Sequence, residues 1–385
     1  MEVENGSSNR AAALNLMTFN IRHDHHDDSP TSPFATPPVR DDASNVTLFG
    51  GEQPWSIRKW KVVDTILLYS PDVLALQEPV YHQLQDLEAL IGDEYEWIGA
   101  GRNDGDKQGE FSAVFYKRQI LTVDSWKTIW LSEEPEVAGS KGWDARHPRT
   151  ATQVTFTRTA DDAKFTVFNA HLDHKGLESR EEASKLILNR AREAGDLGAV
   201  FLLGDLNSTE SDPAYLTLTG SKYEHSKGSN DTLANLQELN NTCASAYTNK
   251  TGIPTSTEEG NIHLPTHRVI RPGQILANLK KQKKEQEEQE KAEKFFLDAQ
   301  YALKTRLNTK GEQGTLSGPF GYRDTFTSFG SGDEFKRAPI RIDFIMALES
   351  NVTKVKVLLL AVLPNQFDDG LIISDHRPVL AKVTW

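Results

Sequence analysis

One cysteine, Cys243, among 385 residues leaves no partner for an internal disulfide, so the fold must be held by its core, and a reducing compartment suits it. No apolar run approaches the roughly 18 residues that a membrane span requires. The first residues, "MEVENGSSNRAAALNL", lack both a basic start and an apolar stretch, so no signal peptide is expected and residues 1–12 read as a flexible N-terminus. Positive charge is short as well: the formal net charge is −12. Proteins that grip long duplexes neutralise many phosphates and are usually basic. The balance therefore argues against extensive duplex binding, but divalent cations can reverse the sign of a carboxylate-lined site. The expected location is cytoplasmic or nuclear. One sequon, "NST" at 207, falls among the candidate site residues, where a glycan would block chemistry.

A hydrophobic content of 37% supplies a core of ordinary size. Short apolar runs read as buried strands at 14–21, 72–78, 112–117, 165–172, 199–206, 341–348 and 378–385. Between some of them lie helical patterns. "IRKWKVVDTILLYS" puts Trp60, Val63, Ile66 and Leu67 on one face and ends before Pro71, and a second pattern runs from Leu177 to Gly195. Strands alternating with helices, together with strands paired without them, imply a mixed α/β sandwich. Residues 13–385 read as one domain with two insertions. One, 29–54, is rich in Pro, Ser, Thr, Asp and Gly and reads as a surface loop. The other, 274–310, carries "LKKQKKEQEEQEKAEKFF", a helix polar on every face at its centre, which suits a solvated arm or a docking element for a protein partner.

The chemistry gathers where the strands end. Asn20 closes the first run and Glu78 the second; "NAHLDH" supplies His171 and Asp173, and "GDLNS" supplies Asp205 and Asn207. Asp343 lies in an apolar strand, and "ISDHRPV" adds Asp375 and His376 just before the last one. Any one of these is an ordinary turn or cap residue. Together they form a set of oxygen and imidazole donors at strand ends, which can converge on a single crevice. Such donors suit Mg2+ or Mn2+ rather than a closed zinc site. The polar run "HDHHDD" at 23–28 draws the eye, but it follows the strand and reads as mainly a solvated loop, with Asp24 the best exception. Arg58 and Arg149 are candidate phosphate clamps, and Trp143, Tyr322, Phe326 and Phe329 candidate stacking or packing residues.

"TFNIR", "LALQE", "NAHLDH", "GDLNS", "RIDFI" and "SDHRP", in this order, resemble the endonuclease/exonuclease/phosphatase superfamily, and "GRNDG…GEFSAVFY" resembles a largely uncharacterised microbial branch of it. The resemblance implies a DNase I-like, four-layer α/β sandwich of two mixed β-sheets flanked by helices. It implies a divalent-metal-dependent phosphoesterase with Mg2+ (or Mn2+) held by Glu78, Asn20 and Asp375. Asp205 would orient or deprotonate the attacking water, and Asn207 would hold a phosphate oxygen. His376, paired with Asp343, would face the phosphate opposite the leaving group. His171 would donate to the phosphate or the leaving oxygen, supported by Glu110. Apart from the resemblance, Asp173 joins Arg58 and Arg149 as a candidate substrate contact.

The expected substrate is a phosphodiester in nucleic acid or nucleotides, cut in an endonuclease-like or a 3'-5' exonuclease- or deadenylase-like manner. The alternative is a phosphatase acting on a sugar phosphate, inositol phosphate or nucleotide monoester. A catalytically silent scaffold that binds a partner through the helical arm is the reading from outside enzymology, and it fits poorly with a complete set of motif residues.

Overall fold

The computed structural model describes residues 13–24, 49–220, 294–303, 318–329, 338–350 and 353–385, with 249, 256–257 and 260–261 as short pieces. The chain divides into two units, Met1–Tyr223 with Phe295–Trp385, and Glu224–Lys294. Within the second unit, β9 (Ser256–Thr257) and β10 (Gly260–Asn261) form an antiparallel pair. The site described below belongs to the first unit.

That unit is built on two sheets. The first contains β1 (Leu14–Asn20), β2 (Val73–Gln77), β3 (Tyr95–Ile98), β4 (Ser112–Lys117), β12 (Phe320–Gly321), β14 (Lys356–Val362) and β15 (Val379–Thr384), in the order β12-β14-β15-β1-β2-β4-β3. The second contains β5 (Leu121–Trp130), β6 (Thr150–Arg158), β7 (Lys164–His171), β8 (Ala199–Asp205), β11 (Phe296–Asp298) and β13 (Asp343–Leu348), in the order β11-β13-β8-β7-β6-β5. Parallel pairs, β1 with β2 and β7 with β8, sit among antiparallel ones, so both sheets are mixed.

Side-chain alternation explains why the central strands read as unbroken apolar runs. In β1, Leu14 and Leu16 enter the core between the sheets while Met17 and Phe19 face the helices; in β8, Phe201 and Leu203 face inward while Val200 and Leu202 face outward. Both faces are buried, so no polar residue interrupts the run. On the outer face of the first sheet lie α1 (Trp55–Tyr69) and α2 (Tyr81–Ile91), and on that of the second lie α3 (Leu177–Ala194) and α4 (Pro213–Thr219). Helix, sheet, sheet and helix make the four layers that the motifs implied.

Two sequence expectations need amendment. In α1, Val63 and Ile66 are buried as expected, but Leu67 is 45% exposed, and the buried stripe takes in Trp55, Arg58, Lys59 and Val62. The charged members are tolerated because they are bonded; Lys59 and the Trp55 indole both reach Asp86 of α2, at 3.1 and 3.0 Å. Residues 294–303, read as the end of a charged helix, are instead β11, which pairs with β13, followed by the short helix α5 (Ala299–Ala302). The remainder of the 274–310 insertion, residues 1–12 and most of 29–54 lie outside the described residues.

β11 also anchors a buried charge network. Arg341 grips Asp298 through two bonds of 2.7 and 2.8 Å and reaches Glu210 at 2.8 Å, while the Tyr215 hydroxyl donates to Asp298 at 2.9 Å. Replacing one partner strands the other's charge in a low-dielectric interior, which costs about 3–5 kcal/mol. Arg341→Met is therefore expected to lower unfolding free energy by about that amount in a denaturant titration. A loss of well under 1 kcal/mol would show the network to be solvated.

Candidate active site

The parallel strands β1 and β2 end side by side, which places Asn20 and Glu78 at one edge of the first sheet. The parallel strands β7 and β8 do the same for the second, placing His171 opposite Asp205 in register. β13 runs antiparallel to β8 and starts at Asp343, which pairs directly with Asp205. The chain entering β15 carries Asp375 and His376 to the same edge. The approach to Asp205 is tight, since a Cβ on Gly204 would stand 2.0 Å from the carbonyl oxygen of Ala170.

Asn20 joins the two sheets. Its amide nitrogen donates to Glu78 Oε1 at 2.9 Å and to Asp205 Oδ2 at 3.0 Å, and its oxygen accepts from the Arg22 backbone at 3.0 Å. Asp205 Oδ1 accepts from the Asn207 backbone at 2.8 Å, and Oδ2 lies 3.7 Å from Nε2 of both His171 and His376. His376 Nδ1 bonds Asp343 Oδ2 at 2.8 Å, which leaves Nε2 directed at Asp205. Just beneath, a second polar bridge spans the sheets: Gln77 donates to Asn169 at 2.7 Å, and Asn169 donates to the backbone of Leu76 and Ala113 at 2.8 and 2.7 Å.

Burial and charge set the protonation of these groups. Burial pushes the Asp205 carboxyl up to about 7, aided by the nearby Asp343 and opposed by His376 and by the bonds from Asn207 and Asn20. Burial alone would lower His376, but the charges of Asp343 and Asp205 outweigh it and hold the imidazole well above its ordinary value. His171 goes the other way: burial, then the Arg149 guanidinium, keep it neutral. Burial would raise Glu78, yet the bond from His23 and the charge of Arg22 bring it well below the usual carboxylate range. Glu110, 3.7 Å from His171, is raised by burial and by the charge of Glu78.

The donor set fits a hard divalent cation. Ligand atoms of Glu78, His171 and Asp205 lie within 4.8 Å of one another, and so do those of Asp205, Asp343 and His376, all buried. Of the expected ligands, Glu78 belongs to the first cluster, Asn20 bonds two of its carboxylates, and Asp375 faces the same Arg22 guanidinium as Glu78, at 3.8 and 3.9 Å. Three residues here hold a left-handed backbone without being glycine: Arg22 (φ 59°), Glu78 (φ 69°) and Asn207 (φ 45°). Such conformations cost roughly 1–3 kcal/mol each and persist where the surroundings over-determine them.

Several expected site residues have other tasks. Arg58 is not a phosphate clamp: its buried guanidinium donates to the backbone oxygens of Ile21, Arg22, Gln53 and Ile373 and ties α1 to the loops beside β1 and β15. Arg149 is at the site, but its nitrogens are spent on Asp173, His171 and His174. Asp173 is not free for substrate either; it accepts from five donors, the backbones of Arg146, His147, Lys175 and Gly176 and Nε of Arg149. The Asn207 amide donates to the Leu172 carbonyl at 3.0 Å. His23, read as part of a solvated loop, bonds Glu78 Oε2 at 2.8 Å, while Asp24 pairs with His82 at 3.2 Å. His25 and His26 lie outside the described residues. Among the aromatics, Phe326 packs edge-on against His376 with ring centroids 5.1 Å apart. Phe329 is buried, and Tyr322 lies under the Arg377 guanidinium at 3.7 Å. Trp143 has a left-handed backbone, with its N–H donating to Glu133.

The bonds to Asp173 depress its carboxyl below the ordinary value despite burial. A depressed acid stabilises the fold above its unfolded pKa, near 4, and loses that contribution as pH falls through the folded value. Asp173→Asn is therefore expected to cost about 1.5–3 kcal/mol near pH 7 and progressively less below pH 4, read from denaturant midpoints across pH. A cost independent of pH would contradict this assignment.

Comparison with known proteins agrees with the geometry. The structure superposes on an endonuclease/exonuclease/phosphatase protein of Bacteroides vulgatus with a TM-score of 0.63 and 23% identity, covering 97% of this chain and 98% of the other. The mannosyl-6-phosphatase of Bacteroides thetaiotaomicron superposes with a TM-score of 0.61 and 20% identity over 97% and 100% of the two chains. At these identities the likeness shows the fold. In sequence, the chain is 27% identical to Nocturnin of Drosophila melanogaster over 179 residues, 43% of this chain and only 26% of that protein. Residues 17–376 match the Endonuclease/Exonuclease/phosphatase family, and the chain belongs to it.

Proposed function

We propose that the protein is a divalent-cation-dependent phosphoric ester hydrolase that acts on a small or terminal phosphoester. The observation that carries this reading is Asp205, buried between two histidines and bonded to the Asn20 amide at 3.0 Å. A carboxylate so placed can take a proton from water, and hydrolysis of an anionic ester needs that base together with a means of neutralising charge.

Glu78, with Asn20 and Asp375, would hold Mg2+ or Mn2+, which supplies Lewis-acid neutralisation of the phosphate. Asp205 positions the attacking water and receives its proton. His376, charged and held by Asp343, donates through Nε2 to a phosphate oxygen. His171 is neutral and is oriented by Arg149, so it offers one N–H to the leaving oxygen. Glu110 stands behind His171 and balances Arg102 and Arg149. The negative overall charge and the burial of these groups favour a small or single-stranded substrate over long duplex.

Cation-dependent hydrolysis of a panel of sugar phosphates, nucleotides, inositol phosphates, single-stranded RNA and DNA and a bis-aryl phosphodiester tests the reading. Asp205→Ala and His376→Ala are each expected to lower turnover of the preferred ester by roughly 10²–10⁴-fold, with folding intact by circular dichroism. Preference for a diester over every monoester would move the substrate to the nucleic-acid reading. Undiminished turnover in both variants would remove the mechanism.

A further inference from the structure

Beyond the residues that face the phosphate, two histidines stand beside His171 without a place in the chemistry above. His147 and His174 come from different loops, yet their rings lie nearly parallel, 17° apart in plane with centroids separated by 6.1 Å. Asp173 staples the two loops together through the backbones of Arg146, His147, Lys175 and Gly176. His174 ties the pair to the site, since Arg149 approaches His171 through NH1 at 2.9 Å and His174 Nδ1 through NH2 at 3.0 Å. His174 is exposed and His147 half-buried, so the rings open to solvent at the rim rather than in the core.

We propose that His147 and His174 form a subsite for the hydroxyl groups of the alcohol leaving group, so that the preferred ester is a phosphate carried on a sugar or another polyol. This rests on the phosphoesterase reading. Arg149 has only hydrogens to give, so His174 Nδ1 is an acceptor and the ring proton sits on Nε2. Partial desolvation at the rim and then the charge of Arg149 lower His174, and partial burial and then Arg102 lower His147. Both rings are uncharged at neutral pH. His147 then offers one N–H donor and one lone pair, while His174, whose Nδ1 lone pair is taken by Arg149, offers its Nε2–H. Two donors and one acceptor without charge match neighbouring hydroxyls, whereas a second phosphate calls for positive charge. Exposed Arg146 and Lys175 are close enough in sequence to supply such charge, so a nucleoside diphosphate is the competing ligand.

The test compares wild type with His147→Ala, His174→Ala and His174→Asn on a panel of hexose 6-phosphates and glycerol 3-phosphate, with 4-nitrophenyl phosphate as an ester lacking hydroxyls. Each alanine variant is expected to lower kcat/KM for the best polyol phosphate about tenfold relative to 4-nitrophenyl phosphate, mainly through KM, and His174→Asn to recover part of it. Calorimetric binding needs no turnover: wild type should hold that polyol phosphate more tightly than inorganic phosphate, and His174→Ala should erase the difference. The proposal is overturned if both esters lose equally, if neither changes, if a nucleoside diphosphate loses more than any polyol phosphate, or if wild type binds no polyol phosphate better than inorganic phosphate. Retained binding preference in a protein that turns over no ester would instead sink the hydrolase reading and leave the subsite standing.

Discussion

Two hydrogen bonds from one amide hold the site's halves together. Asn20 ends a strand of the first sheet, Asp205 ends a strand of the second, and the Asn20 nitrogen bonds Asp205 and Glu78 at once. A sandwich core of apolar side chains is non-directional and would allow the sheets to slide by fractions of a residue. The Asn20 amide, with the Gln77–Asn169 bridge beneath it, supplies the direction that packing lacks. Everything at the crevice then follows from strand register, because His171, Asp205 and Asp343 are neighbours in the second sheet.

The same bonds explain how so many ionisable groups stay buried together. Unpaired, a charge in such an interior costs several kcal/mol. Here each carboxylate has a partner of opposite sign or a donor: Glu78 has His23, Asp343 has His376, and Glu110 has Arg102. Asp205, flanked by two imidazoles of opposite tendency, is left as the group nearest the balance point. The left-handed backbones at Arg22, Glu78 and Asn207 bend the chain away from each strand just where a side chain must turn toward the crevice.

Much of this was legible in the chain because a doubly buried strand leaves a run of apolar residues that ends abruptly in a polar one. Those runs located seven strands and most of the crevice. Among the strands that escaped, β14, "KVLLLAV", carries an apolar run as strong as those that were read, whereas β5 and β6 have weaker signals. In β5, "LTVDSWKTIW", the middle residues are exposed and polar, and in β6, "TATQVTFTR", threonines fill positions where branched aliphatics would be expected. Arg58 looked like a phosphate ligand because its chemistry suits one. Its spacing from Trp55, Val62 and Ile66 on α1 was the clue that it points inward. His23 was hidden by the polar residues after it, and only the turn at Arg22 returns it to Glu78. Asp173 shares a motif with His171 but serves the loops, a distinction that depends on backbone donors no sequence pattern displays.

The claim that the two sheets together hold a divalent cation is tested most directly by Mn2+ binding, followed by electron paramagnetic resonance or calorimetry, in wild type, Glu78→Gln and Asn20→Ala. Wild type is expected to bind the ion, Glu78→Gln to weaken it at least tenfold, and Asn20→Ala to weaken it while leaving the fold intact. Equal Mn2+ affinity in all three proteins would contradict the account.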